Sequence, residues 1–211
     1  METIEEKIIK GGEFIIKKTK CDEVFTPEDF SDEQKMMRDA VKDFTDKEIW
    51  SKKHEFENHN YQLTADVMKK AGNLGFLGVN VPEEYGGLGM PFTSSMLVCD
   101  YISGSSGSTS TAFGAHTGIG TMPILLYGTD EQKRKYIPKL ATGEHIGAYC
   151  LTEPSAGSDA NNGKTQAVLN AEKTHYLITG QKMWISNAGF ADILTVFARI
   201  CLLYTSDAAD E

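Results

Sequence analysis

The sequence runs to 211 residues, room for one or two domains with a substantial buried core. With 40% hydrophobic and 24% charged residues, it has the composition of an ordinary globular protein. A net charge of −9 at pH 7 argues against general attraction to nucleic acid or anionic membrane, and no apolar run is long enough to span a bilayer.

Cys21, Cys99, Cys150 and Cys201 are widely spaced and form no CxxC pair. That disfavours a zinc site or a disulfide framework and suits a reducing compartment. The opening stretch Met1 to Lys7 is acidic and polar, unlike a secretory signal or an Arg-rich transit peptide. The expectation is a cytoplasmic protein.

The first two thirds read as helices. Ser31-Asp32-Glu33-Gln34 fits a capping box, and Met37, Ala40, Val41 and Phe44 then follow at helical spacing as one buried stripe. A second helix is expected from about Thr64 to Gly72, with Val67, Met68 and Ala71 facing inward. The glycines and Pro82 between Leu77 and Gly89 forbid a continuous helix and predict a shaped loop. Helical character resumes from Thr93 to Ser103 and continues through the small-residue stretch Ser105 to Gly120, with Phe113, Ile119, Ile124, Leu125 and Leu126 supplying a core. Gly128 reads as a helix stop. Thr129-Asp130-Glu131-Gln132 is a second capping box, opening a helix to about Leu140.

After Gly143 the pattern turns to β. Strands are expected at Ile146 to Leu151, at Thr165 to Leu169, and at His175 to Thr179, the last two joined by a turn at Asn170 to Lys173. Met183 to Ser186 and Ile193 to Phe197 are further β-rich runs. Helices followed by strands predict an α+β fold or two successive domains. Cys201 to Glu211 neither closes a hairpin nor opens a helix, and it reads as a non-native tail, with a frayed native end as the alternative.

Two segments stand out as places for chemistry. Tyr149 to Asp159 carries a strand into a turn rich in hydroxyls and small residues, which leaves backbone amides free for a ligand. An ordinary β-turn has the same pattern. Lys182 to Gly189 holds Trp184 and Ser186, which on a strand share a side and would suit a flat ligand with polar edges. A buried strand tryptophan ending at a turn fits as well. The residues alone leave both readings open.

The run Tyr149-Cys150-Leu151-Thr152-Glu153-Pro154-Ser155-Ala156-Gly157-Ser158-Asp159 resembles the first signature of the acyl-CoA dehydrogenases. Gln181-Lys182-Met183-Trp184-Ile185-Ser186-Asn187-Ala188-Gly189 resembles the flavin-contacting strand that follows it in that family. Val81 to Gly89 and Gly128 to Pro138 are family-like too, in the right order. The resemblance covers about Phe25 to Arg199 and is nearest to the long-chain and very-long-chain branch.

The resemblance implies a helical N-terminal domain over residues 26–145 and a truncated, β-barrel-like middle domain over residues 146–200. An extension (residues 1–25) would precede them and the non-native tail (residues 201–211) would follow. It implies FAD as cofactor, with Tyr149, Leu151, Thr152, Ser158, Trp184, Ile185 and Ser186 on the flavin. Thr152 would face the polar edge of the ring, Trp184 would pack against it, and Ser186, a threonine in many relatives, would hydrogen-bond near N5. Ser158 would also meet the CoA part of a fatty acyl-CoA substrate.

The implied reaction is α,β-dehydrogenation, with an electron-transfer flavoprotein as acceptor and a homo-oligomer as the full-length assembly. The family's catalytic base belongs to a C-terminal bundle that this chain lacks, so no catalytic residue is named, the fragment is expected to be inactive, and Glu153 is expected to be structural. An acyl-CoA oxidase of the same fold is the close alternative, and a non-catalytic helical and β interaction module the distant one.

Other candidates are weaker. His54 and His59 are five apart, a poor fit to one helix face, and no cluster completes a metal site. His116, His145 and His175 stand alone, as satisfied structural histidines do. Gly86-Gly87-Leu88-Gly89 is not a dinucleotide-binding GxGxxG.

Overall fold

A computed structural model describes residue 9 and residues 12–200. The expected tail at 201–211 lies outside the described residues, as do residues 1–8, 10 and 11. After three short 3-10 turns the first α-helix, α1 (Asp32–Phe44), opens on the expected capping box. Ser31 Oγ accepts from Gln34 N–H at 3.2 Å, and Gln34 Oε1 accepts from Ser31 N–H at 3.0 Å. The buried stripe, however, runs through Gln34, Val41 and Phe44, and Ala40 is exposed. Gln34 takes the inner place because its amide donates to Thr93 Oγ1 and Ser94 Oγ at 3.2 and 3.1 Å, fastening α1 to the start of α4 (Phe92–Ser105).

Beyond α1 the chain widens into a π turn (Thr45–Ile49) and a short α2 (Lys53–Glu57). The second expected helix is α3 (Tyr61–Asn73), which starts earlier than predicted because Asn60 Oδ1 caps Leu63 N–H at 3.1 Å. Val67, Met68 and Ala71 are each 1% exposed, as their spacing predicted. The Leu77 to Gly89 loop folds back on itself through Leu88 N–H to Gly78 C=O and Gly89 N–H to Val81 C=O, both 2.9 Å. Gly87 lies so close beneath Val81 that a Cβ there would overlap the Val81 carbonyl oxygen.

The small-residue stretch divides at Ser106 into α4 and α5 (Gly107–Gly114), followed by a second π turn (Ala115–Gly120) and α6 (Met122–Tyr127). The Thr129 capping box then opens α7 (Asp130–Ala141). Val41, Phe44, Ile49, Met68, Val98 and Phe113 form the main helical core, and Val81, Tyr85, Ile137 and Leu140 form a second one.

The β part contains β1 (Gly147–Cys150), β2 (Gln166–Leu169), β3 (Tyr176–Thr179) and β4 (Ile193–Val196). β2 and β3 form the expected antiparallel hairpin, its turn held by Asn170 Oδ1 accepting from Thr174 and His175 N–H. β1 pairs in parallel with β4, Gly147 opposite Ile193 through Cys150 opposite Val196. The start of that pairing is fixed by Asp192 Oδ2, which accepts from Ile146 N–H at 2.8 Å.

Two further expectations fail. Ile119 and Leu126, expected in the core, are 48% and 60% exposed. Met183 to Ser186 is no strand, because Trp184 sits at φ 58° and Asn187 at φ 67°, left-handed conformations that break any ladder. The common side predicted for Trp184 and Ser186 on a strand therefore does not apply.

Candidate functional site

The two singled-out segments lie side by side. Met183 N–H donates to Thr152 C=O at 3.0 Å, placing Trp184 immediately beyond the loop that leaves β1. Around this link, Lys182 Nζ donates to Leu151 C=O at 3.0 Å and to Glu153 Oε1 at 2.8 Å. Glu153 also accepts from the backbone N–H groups of Lys164 and Thr165. One buried carboxylate thus gathers the β1 loop, the start of β2 and the tryptophan segment.

Burial alone would raise the Glu153 carboxyl, but the Lys182 ammonium and the two backbone donors outweigh it and hold its pKa at about 2. An acid so occupied is structural, in line with the expectation for Glu153. Sequence reasoning did not pair it with Lys182, since nothing in a separation of this length marks a partner.

Tyr149 is half-buried on β1 and meets Phe197 edge to face at 4.8 Å. Leu151 and Thr152 are half-buried just past the strand. Trp184 is 86% exposed, with Ile185 and Ser186 half-buried behind it. Tyr149, Leu151 and Lys182 line a cavity of about 380 Å³. Ser158 stands apart, exposed on the far limb of the loop beyond the Glu153–Ala156 bridge. Among the described residues, the hydroxyls of Thr152, Ser158 and Ser186 have no hydrogen-bond partner in the protein.

An indole left in solvent beside unpaired hydroxyls fits a flat heteroaromatic ring with polar edges. The left-handed Trp184 points the same way, since bulky residues rarely adopt that backbone outside constrained sites.

A second, apolar cavity of about 190 Å³ opens in the helical part, lined by Phe76, Leu77, Phe92, Met96, Phe113 and Met122. Behind it His116 is fully buried: its Nε2–H donates to Leu140 C=O at 3.0 Å and its Nδ1 accepts from Gly147 N–H at 2.9 Å. Burial lowers its pKa to about 4, despite the Leu140 carbonyl, so the ring is neutral at pH 7. His116 is the satisfied structural histidine expected. His145 differs, its buried Nδ1 lacking a partner. Among the described residues no group of His, Cys, Asp and Glu could hold a metal ion. No helix among them is long and apolar enough to cross a membrane.

The family model described as "Acyl-CoA dehydrogenase, N-terminal domain" matches residues 31–144, and that of the "middle domain" matches residues 148–210. The chain belongs to the acyl-CoA dehydrogenase family and carries the helical N-terminal and middle β parts of its fold. It is similar to a Bacillus subtilis (strain 168) protein named a probable acyl-CoA dehydrogenase, 49% identical over 90% of this chain and 32% of that protein. It is also similar to the mitochondrial isovaleryl-CoA dehydrogenase of Pongo abelii, 38% identical over 80% of this chain and 40% of that one. Among solved structures, the acyl-CoA dehydrogenase of Bacillus anthracis complexed with FAD superposes with a TM-score of 0.85 at 48% identity, over 91% of this chain and 33% of that one. The chain thus spans about a third of the length of the first of these relatives.

Proposed function

We propose that this chain forms the flavin wall of an FAD-dependent enzyme that introduces an α,β double bond into fatty acyl-CoA thioesters. The observation that carries the reading is the 3.0 Å bond from Met183 N–H to Thr152 C=O, which joins two family signatures beside an exposed indole. The FAD held by the Bacillus anthracis relative supports the choice of cofactor.

Trp184 would pack against the ring, Thr152 would meet its polar edge, and Ser186 would hydrogen-bond near N5. Tyr149, Leu151 and Ile185 complete the wall. Ser158, exposed on its loop, meets both the flavin and the CoA portion of the substrate. Residues 26–145 act as the helical domain and residues 146–200 as the β domain.

FAD, if bound, would supply the two-electron oxidising capacity that α,β-dehydrogenation requires, alongside a base for the α proton. Hydrogen-bond donors to the thioester carbonyl stabilise the charge that develops there. Glu153 is not that base, since its carboxylate is committed to Lys182 and to two backbone amides. In this reading the base, the homo-oligomeric contacts and the docking of an electron-transfer flavoprotein come from outside these residues. A cytoplasmic location fits the unpaired Cys21, Cys99 and Cys150.

The apolar cavity beside α4 suits an acyl chain, and each buried methylene contributes about 0.8 kcal/mol, so affinity rises with chain length until the cavity is full. The full-length holoprotein should reduce its flavin anaerobically with a medium- to long-chain acyl-CoA and not with the free acid. Oxidation of an amine or nitroalkane, with every acyl-CoA ignored, would overturn the reading. Oxygen consumption during turnover would mark an oxidase.

A further inference from the structure

Asn187 follows Ser186 directly, with its side chain buried and its backbone at φ 67°. Its single Nδ2 group donates twice, to Ala112 C=O at 2.9 Å and to Gly147 C=O at 3.2 Å. Ala112 lies on α5 just before Phe113 and Gly114, which line the apolar cavity. Gly147 opens β1, the strand that leads to Tyr149 and Thr152.

Gly147 is itself gripped from the other side, because His116 Nδ1 accepts its N–H at 2.9 Å. Its backbone also lies so near Gly120 that a Cβ on Gly120 would come within 2.8 Å of the Gly147 carbonyl carbon. The helical wall, the first strand and the tryptophan turn therefore meet at one amide.

We infer that Asn187 is a positioning residue: its side-chain amide locks the Trp184–Ser186 turn to the wall of the apolar cavity and to β1. It thereby sets where the ring-facing groups stand relative to a bound acyl chain. The inference rests on the reading of that turn as flavin-contacting.

Asparagine suits both demands of the position. It tolerates the left-handed backbone better than most residues, and it brings donors for two carbonyl oxygens. Glycine would meet only the first demand, and aspartate would aim negative oxygens at both carbonyls.

The test uses the full-length holoprotein, with FAD affinity and the flavin midpoint potential as readouts. Asn187→Gly keeps the backbone and deletes both hydrogen bonds. It should weaken FAD binding by about tenfold, as expected for two lost buried bonds, and lower the potential, because Ser186 is no longer held near the reduced ring. Asn187→Asp should bind FAD better as pH falls from about 7 to about 5, since protonation restores one donor.

Wild-type affinity and potential in Asn187→Gly would overturn the assignment while leaving the flavin reading standing, and so would a flat pH profile in Asn187→Asp. A parent protein that binds no FAD would overturn both. If neither variant folded, Asn187 would be a folding residue and the inference would fail.

Discussion

Trp184 shows how one residue can be costly to the chain and useful to a ligand. Its left-handed backbone costs roughly 1 kcal/mol or more, and its indole, 86% exposed, returns little to the fold. Trp184→Ala should therefore leave stability within about 0.5 kcal/mol while weakening FAD retention by about tenfold through loss of the packing face. Ser186→Ala should spare retention and change the flavin potential and reduction rate. Equal flavin content, potential and rate in both variants and the wild type would contradict this placement.

His116 makes a different prediction. Its folded pKa of about 4 lies below the ordinary value of 6.5, so the unfolded chain binds the extra proton first as pH falls. Stability should drop through that window by about 3 kcal/mol and level off below pH 4. Glu153 has its folded pKa depressed to about 2, so its contribution is intact above the unfolded value of 4.5 and is lost as pH falls toward 2. Urea unfolding between pH 7 and about pH 5, above the ordinary carboxyl range, therefore reads mainly His116, and a flat profile there would rule out its buried neutral state.

At the scale of elements, local chemistry decides some outcomes and close approach decides others. Gly72 lies inside α3, where alanine would ordinarily gain about 1 kcal/mol of helix propensity. A Cβ there would overlap the Thr142 carbonyl oxygen at the end of α7, so overpacking outweighs propensity. Gly72→Ala should destabilise by about 1–3 kcal/mol net. A raised melting temperature would show that the two helices are not packed this closely.

The elements most legible in the sequence were those with local signals: the Ser31 and Thr129 capping boxes, the inward face of α3, and the hairpin turn at Asn170. Three of the misses trace to partners distant in sequence. The outward turn of Ala40 depends on Gln34 finding Thr93 and Ser94 on another helix. The parallel partner of β1 is distant in sequence. The Trp184 bend is imposed by bonds to Thr152, Ala112 and Gly147 against a β-favouring composition. The candidate site was legible as two motifs, and the Lys182–Glu153 pair and the Asn187 amide that hold them were not.

The whole molecule leaves much apolar surface uncovered on its β part. Val168, Leu177 and Ile178 on the β2–β3 hairpin are 51%, 57% and 53% exposed, and Leu194 on β4 is 49% exposed. Residues 1–211 produced alone should therefore self-associate and retain little FAD, because exposed strands with apolar faces template pairing. Gel filtration with absorbance at flavin wavelengths checks this, and a monomeric, stoichiometrically yellow product would refute it.

The parallel pairing of β1 with β4 has a consequence in time. Residues 147–150 are finished during synthesis well before residues 193–196, and no α-helix bridges them to bring the strands together. The helical pairings, such as Gln34 with Thr93 and Ser94, lie within residues already made when β1 emerges and can form while β1 waits. Strand closure spans the whole hairpin excursion and so carries a large loop-closure entropy. Folding should proceed in two stages, a fast helical collapse and a slower closure that ends when Asp192 reaches Ile146. During that interval the two halves of the proposed flavin wall exist without facing each other, so on that proposal cofactor binding should follow strand closure.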